Sequence, residues 1–428
     1  MTIGQILEKH RGHGPGFDAL RVYLAISVLV WHSLAVCGLD IMFVWTAWYG
    51  RWFVAMVPMF FTLSGFLVMG SASRVKSLRH YLANRFLRIF PALAVELTLS
   101  ALVLGPLVTA LPLREYFTSP QLYSYFGSLI GRVQFDLPGV FLTNPVPNVV
   151  NGNLWTIPPE IFCYLFMAAM IAMMLSSGRI AVTLCALGVL ALNLGQDSRE
   201  GWSILIGNMA PRYLVECFAF GATFYMWRDL LPYNRWLFAF AALVAFSLLP
   251  MAAWLHLAIF ALAYCTAFLG CTPLPRGRLF SGGDYSYGIY LFGRPIQQTV
   301  VALFPAGSRV IVNLPVSLAL SIGVAMLSWH FVEKRMLALR KHVASPDSSL
   351  RRHYFVRFAV LLVTASYGVA LLRVNNIAPI GELTGKKLAT IGAVVLFASL
   401  AGAAIPKVIA ALRGWISAAP TQSGMPSR

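Results

Sequence analysis

Apolar runs long enough to cross a bilayer, about 20 residues each, recur from residue 17 to residue 412, separated by short stretches of arginine, proline, glycine and asparagine. Setting these runs against their breakers predicts twelve helices, at 17–38, 53–72, 87–111, 154–175, 179–195, 211–228, 236–250, 254–271, 284–305, 310–333, 354–373 and 388–412. The runs at 179–195 and 236–250 are at the short end of what spans a membrane. Between the third and fourth helices, "FDLPGVFLTNPVPNVVNGN" carries too much proline, asparagine and glycine for a helix and predicts an ordered or re-entrant loop across 112–153.

Composition agrees with this pattern. Of 428 residues, 58% are hydrophobic and 11% charged, against about 25% charged in an ordinary soluble domain. The expected fold class is therefore an all-α polytopic membrane protein. The formal net charge of +18 does not point to nucleic acid, because the basic residues lie between apolar runs. If the N-terminus is cytoplasmic, then "SRVKSLRHYLANRFLR" (73–88), "PRGR" (275–278) and the basic stretch 333–357 all fall on the cytoplasmic side, as the positive-inside bias requires, and both termini are cytoplasmic. The greasy run before "SLAVCG" resembles a cleaved leader, but Val36 is too bulky for a cleavage site, so a retained first helix is expected. Six scattered cysteines without a Cys-x-x-Cys pair suggest neither a disulfide framework nor a metal site.

Within the first helix, "RVYLAISVLVWH" places two ionisable residues in one hydrophobic run. Eleven steps of about 100° bring Arg21 and His32 to one face, roughly 16 Å apart along the axis. Arg21 would lie near the cytoplasmic interface and His32 near mid-bilayer, where ionisable groups are usually functional. An imidazole there offers the proton-accepting nitrogen of a general base. Snorkelling of Arg21 to headgroups and a hydrogen bond from His32 to a neighbouring helix would be the purely structural account.

Further segments follow in order: "MFFTLSGFLV" (59–68), "RFLRIFPAL" (85–93), "NGNLWTIPPEIFCYL" (151–165), "YSYGIYLFGRPI" (285–296) and "SWHFVEKRM" (328–336). With the first-helix pair and its preceding "FDAL", they resemble the acyltransferase-3 family of integral membrane acyltransferases, the carbohydrate O-acyltransferase type, across about residues 17–340. The resemblance implies a core of about ten helices at 17–340; outside it, the apolar and basic pattern predicts a basic cytoplasmic linker (341–353), two additional transmembrane helices (354–412) and a polar cytoplasmic tail (413–428). It implies transfer of an acyl group, most often acetyl from acetyl-coenzyme A, across a bacterial inner membrane to a sugar hydroxyl. The acceptor would be a surface polysaccharide, a lipid-linked glycan or a glycosylated metabolite, and no metal would be needed. Two positions depart from the family pattern: Gly293 and Arg294 precede the proline where a histidine is common, and Arg335 follows "VEK" where proline is common.

Roles follow from this resemblance together with residue chemistry. His32 is expected to act as base, with Arg21 binding the donor or polarising the thioester carbonyl. Arg85 and Arg88, three residues apart on one helical face, are expected to hold the coenzyme A phosphates through bidentate hydrogen bonds. Arg74, Lys76 and Arg79 are read as topology signals that meet anionic lipid. Glu160 follows Pro158 and Pro159 at a helix start, where it either complements the positive helix end or orients the catalytic histidine or an acceptor hydroxyl. Trp155 offers a stacking face for sugar or a belt residue at the membrane interface. Ser64 and Gly65 are expected to serve helix packing. Glu96 must find a partner across the bundle, an arginine being one choice, whereas Arg212 and Glu216 are one turn apart and could neutralise each other. His330, Glu333 and His256 are read as solvated groups near helix ends. The competing function class is a glycolipid or small-molecule transporter or flippase, which would also use many helices and a buried histidine.

Overall fold

The computed structural model describes residues 1–40, 48–74, 77–200 and 209–340, and a helix stands at each of the first ten expected positions. After a short α1 (Ile3–Lys9) come α2 (Phe17–Val36), α3 (Gly50–Ala72) and the long α4 (Leu78–Val108). Two short helices, α5 (Leu113–Thr118) and α6 (Pro120–Tyr125), lie in the following connection. The remaining helices are α7 (Ile157–Ala172), α8 (Arg179–Glu200), α9 (Pro211–Met226), α10 (Arg235–Leu248), α11 (Leu255–Cys271), α12 (Ser286–Leu303) and α13 (Val310–Ala338). The described residues contain no strand. Among the described residues seven helices are long and apolar enough to cross a membrane, so the chain is a multi-pass membrane protein. The expected helices at 354–373 and 388–412, with the linker and tail around them, lie outside the described residues.

Helix α4 begins at Leu78, well before the expected residue 87, because Ser77 caps it by accepting from the His80 amide. The basic segment after α3 is therefore largely helical, and Arg85 and Arg88 lie well inside α4. Residues Ser100–Leu104 of the same rod form a π-helical turn. The weakest expectations resolve differently: α8 runs for 22 residues, whereas α10 has only 14.

Helices α3 and α9 make the closest approach. A Cβ added at Gly65 would collide with the Phe218 carbonyl of α9, and one at Gly221 with the Thr62 carbonyl of α3. Small residues bring helix backbones together where dispersion, rather than water exclusion, drives association. The packing role expected of Gly65 is thus observed.

Contacts between chain segments define two ends of the bundle. At one, the amides of Ile3 and Gly4 donate to the carbonyls of Leu231 and Arg228, Arg276 pairs with Asp18, and Arg179 pairs with Asp229. We call this the basic end. At the other, the Cys37 thiol reaches the Gly307 carbonyl, and Asp197, Arg212 and His256 meet.

The connection between α4 and α7 is irregular but held. The Gln298 amide on α12 donates to the carbonyls of Val146 (2.8 Å) and Val149 (2.7 Å), while Asn144 donates to both the Gln298 carbonyl and its side-chain oxygen. Asn151 donates to Leu291 O and to the Glu96 carboxylate. Non-helical backbone is tolerated at membrane depth only where protein groups satisfy it, and these side chains do so. The ordered character expected of 112–153 is present, together with the short turns of α5 and α6.

Candidate active site

Arg21 and His32 of α2 both lie towards α12. Arg21 Nη1 donates to Asp284 Oδ2 at 3.1 Å, just before α12 begins. Beside His32, the Arg294 guanidinium of α12 lies with Nη1 3.5 Å from the His32 carbonyl oxygen. His32 is half-buried, and its Nδ1 is buried without a hydrogen-bond partner.

Asp284 also accepts from Arg88 Nη2 at 2.6 Å, so one carboxylate bridges arginines from α2 and α4. Ser286 donates to its other oxygen at 2.6 Å. Arg88 in turn lies 3.6 Å from Glu333 of α13, a carboxylate that is 1% exposed and also accepts from Ser328. The expectation that solvation accounts for Glu333 is therefore corrected: the π-helical turn Trp329–Glu333 directs it inward. His330 of the same turn meets the Tyr285 hydroxyl.

Above this network lies a cavity of about 110 Å³. Arg21, Arg88 and Tyr287 line its basic side, Ser64 and Phe60 of α3 one wall, and Thr156, Glu160 and Tyr164 of α7 another. Tyr290 of α12 also lines it, meeting Thr156 by a hydrogen bond and Phe60 edge to face. Because α7 starts only after the 3-10 turn Gly152–Thr156, its first turn, with Pro158, Pro159 and Glu160, opens directly onto this space. Glu160 accepts from the Tyr164 hydroxyl at 2.8 Å. Arg88, Arg85 and Arg21 are its electrostatic neighbours.

Of the residues singled out from sequence, Arg21, Arg88 and Glu160 share this cavity. Arg85 stands beside it, its guanidinium between the rings of Tyr81 (5.9 Å) and Tyr164 (5.6 Å) and its Nε buried and unpartnered. His32 and Trp155 are not among the lining residues. Trp155 packs on the hydrophobic core, since in the 3-10 turn it is Thr156 that faces the cavity. His32 belongs to the next level of the bundle: Arg294, its neighbour, is one helical turn beyond Tyr290.

Other expectations change as well. Glu96 meets no arginine: its Oε1 accepts from Ser100, Asn151 and Tyr125. Arg212 pairs with Asp197 at 2.7 Å, while both oxygens of Glu216 lie 2.9 Å from His256 Nδ1. The Nε2 of His256 is 2.9 Å from Asp197 Oδ2, so this histidine is an interhelical brace at the opposite end. The sequence does not single out Asp284 and leaves Glu333 as a solvated group, although "YSYGIYLFGRPI" adjoins the first and "SWHFVEKRM" contains the second.

Residues 15–330 match the family described as Acyltransferase domain. The chain belongs to the acyltransferase-3 family. It is 28% identical over 349 residues to an O-acetyl transferase of Shigella phage Sf6, covering 78% of this chain and 98% of that protein. It is also 28% identical over 364 residues to Nodulation protein 10 of Rhizobium leguminosarum bv. viciae, covering 79% of this chain and 97% of that one. No solved structure matches it. Family membership makes the protein a membrane-embedded acyltransferase and weighs against the transporter reading.

Proposed function

We propose that the protein transfers an acetyl group from acetyl-coenzyme A, across the bacterial inner membrane, to a sugar hydroxyl of a surface polysaccharide, lipid-linked glycan or glycosylated metabolite. The observation that carries this reading is the polar cavity of Arg21, Arg88 and Glu160, open within the arginine-rich half of an acyltransferase bundle. The similarity to an O-acetyl transferase supports acetyl as the group moved.

Coenzyme A is an anionic donor, and the basic end is where its phosphates would be met, with the termini on the cytoplasmic side. Arg85 is the natural phosphate ligand, because its guanidinium is held by tyrosine faces and not by a bonded carboxylate. Arg21 and Arg88, fixed by Asp284, line the basic side of the cavity and would bind the donor there. His32 would take the proton from the acceptor hydroxyl as its oxygen attacks the acyl carbon and the coenzyme A thiolate leaves. Glu160 would orient the reacting groups from the cavity wall, and Trp155 would support its turn from the core. Residues 17–340 would form the catalytic core, with 341–353 as linker, 354–412 as an added helix pair and 413–428 as a tail.

The test is labelled acetyl transfer from acetyl-coenzyme A to native membrane glycans by the full chain, compared with His32→Ala at equal membrane levels. Loss of labelled ester in the variant is expected. Undiminished transfer would remove His32 from the chemistry, and absence of transfer by the unaltered protein would overturn the reaction itself.

A further inference from the structure

Most inward-facing cations of the described bundle have a carboxylate or an aromatic face beside them. In the basic half, Arg21 and Arg88 pair with Asp284 and Glu333, and Arg85 lies between tyrosine rings with Glu160 as an electrostatic neighbour. At the opposite end, Arg212 and His256 are matched by Asp197 and Glu216. Arg294, 7% exposed and the only lysine or arginine in the buried class among the described residues, has no carboxylate partner there. Its contact is the long one to the His32 carbonyl, and its Nε is buried without a partner.

Arg294 is also not alone in lacking partners. On the adjoining surfaces of α2, α12 and α13, His32 Nδ1, Gln297 Oε1, Ser317 Oγ and Ser321 Oγ are each buried and unpartnered. Gln297 fixes the register by donating to Leu29 O and Ser33 Oγ, and Asn313 donates to Gln297 O. Ser317 and Ser321 continue the face of α13 that begins with Asn313, and Ser321 stands beside Gly293. An unpaired charge in a low-dielectric interior costs several kcal/mol. An ionisable side chain retained at such depth marks a functional position, and an anionic ligand is one source of the missing counter-charge.

Building on the proposed transfer, we infer that Arg294 forms an acceptor subsite beside His32 that selects sugars carrying an anionic group, a carboxylate or phosphate, near the hydroxyl to be acylated. The guanidinium binds the anion through two parallel N–H donors, Ser317 and Ser321 offer hydroxyls, and the acceptor's own hydroxyl is brought to the imidazole. A transient oxyanion would offset the Arg294 charge only in the transition state, whereas an acceptor anion does so throughout the bound state. Arg294 is thus a specificity residue at the level of the bundle that the donor cavity does not occupy.

The experiment uses the purified full chain in detergent, with an alkyl glucoside, the matching alkyl glucuronide and the matching alkyl glucoside phosphate as probes. Either charged probe, or both, should raise Tm by on the order of 3 °C more than the neutral one, and the better of the two identifies the anion. Arg294→Gln should abolish that difference, and Arg294→Lys should keep part of it. With labelled acetyl-coenzyme A, the ratio of kcat/KM for charged over neutral acceptor should fall by on the order of a hundredfold in Arg294→Gln. Equal stabilisation by all three probes, or an unchanged ratio in Arg294→Gln, would overturn the inference. Labelling of native glycans by the unaltered protein reports the transfer reaction separately: if labelling persists while charge selection is absent, only the subsite fails.

Discussion

Arg88 and Asp284 meet at 2.6 Å, joining the middle of α4 to the residue pair that precedes α12 across 196 positions of sequence. The same carboxylate receives Arg21, so one side chain sets the positions of two guanidiniums that face the cavity. Asp284→Asn removes the counter-charge from both while keeping the volume. Breaking a buried pair from one side costs about 3–5 kcal/mol, and the partial solvent access of these groups argues for the lower end. We expect a fall in Tm in detergent and loss of transfer. Arg88→Ala combined with Asp284→Asn should destabilise less than the sum of the two, which a double-mutant cycle on Tm would measure.

Arg85 makes a different prediction because aromatic faces, not carboxylates, hold it. Removing it leaves no buried anion bonded to nothing, so stability should change by less than about 1 kcal/mol beyond the lost cation–π contacts. Its effect should appear in KM for acetyl-coenzyme A, rising on the order of tenfold in Arg85→Ala with a smaller change in kcat. Arg85→Lys should recover only part, since a point charge lacks the bidentate fork. An unaltered donor KM in both variants would exclude Arg85 from the phosphate site.

Gly65 and Gly221 test the packing that carries the cavity wall. Gly65→Ala places a methyl group against the backbone carbonyl of Phe218, which cannot move aside as a side-chain tip could. Overpacking typically costs about 1–3 kcal/mol, and Ser64 and Phe218, both cavity-lining, would shift with it. Gly221→Ala should act alike. Gly188→Ala, with nothing within 4 Å of the added Cβ, is the control expected to leave Tm unchanged. Thermal unfolding of the three purified variants decides the matter.

Much of the fold was legible because a spanning helix is recognised by length and apolarity, and those are properties of contiguous sequence. The start of α4 was misplaced because its first turns are basic and amphipathic and so do not look lipid-facing. The Arg21 and His32 pair was legible from spacing, and Glu160 from the prolines ahead of it. Asp284, Glu333 and His256 were not, because each gains its role from partners on other helices far away in sequence, and nothing local separates a bridging carboxylate from a solvated one. Glu96 shows the division within one residue: Ser100, one turn on, could have been read from spacing, whereas Asn151 and Tyr125 could not.

Glu96 is also the point at which the irregular connection is tied to the helices. Its Oε1 collects Ser100, Asn151 and Tyr125, and Asn151 simultaneously holds Leu291 of α12. Glu96→Gln keeps an acceptor oxygen and should leave the connection docked, with a cost within about 1 kcal/mol. Glu96→Leu removes the acceptor and strands three buried donors, at about 1–3 kcal/mol for each left unsatisfied. Asn151 is one residue before the turn that presents Thr156 and Glu160 to the cavity, so undocking should reach the chemistry. The expected result is rapid proteolysis within 112–153 and lost transfer in Glu96→Leu, with both near normal in Glu96→Gln. Protection of that segment in Glu96→Leu would show that the amide contacts of Gln298 suffice to hold it, and that Glu96 is not its anchor.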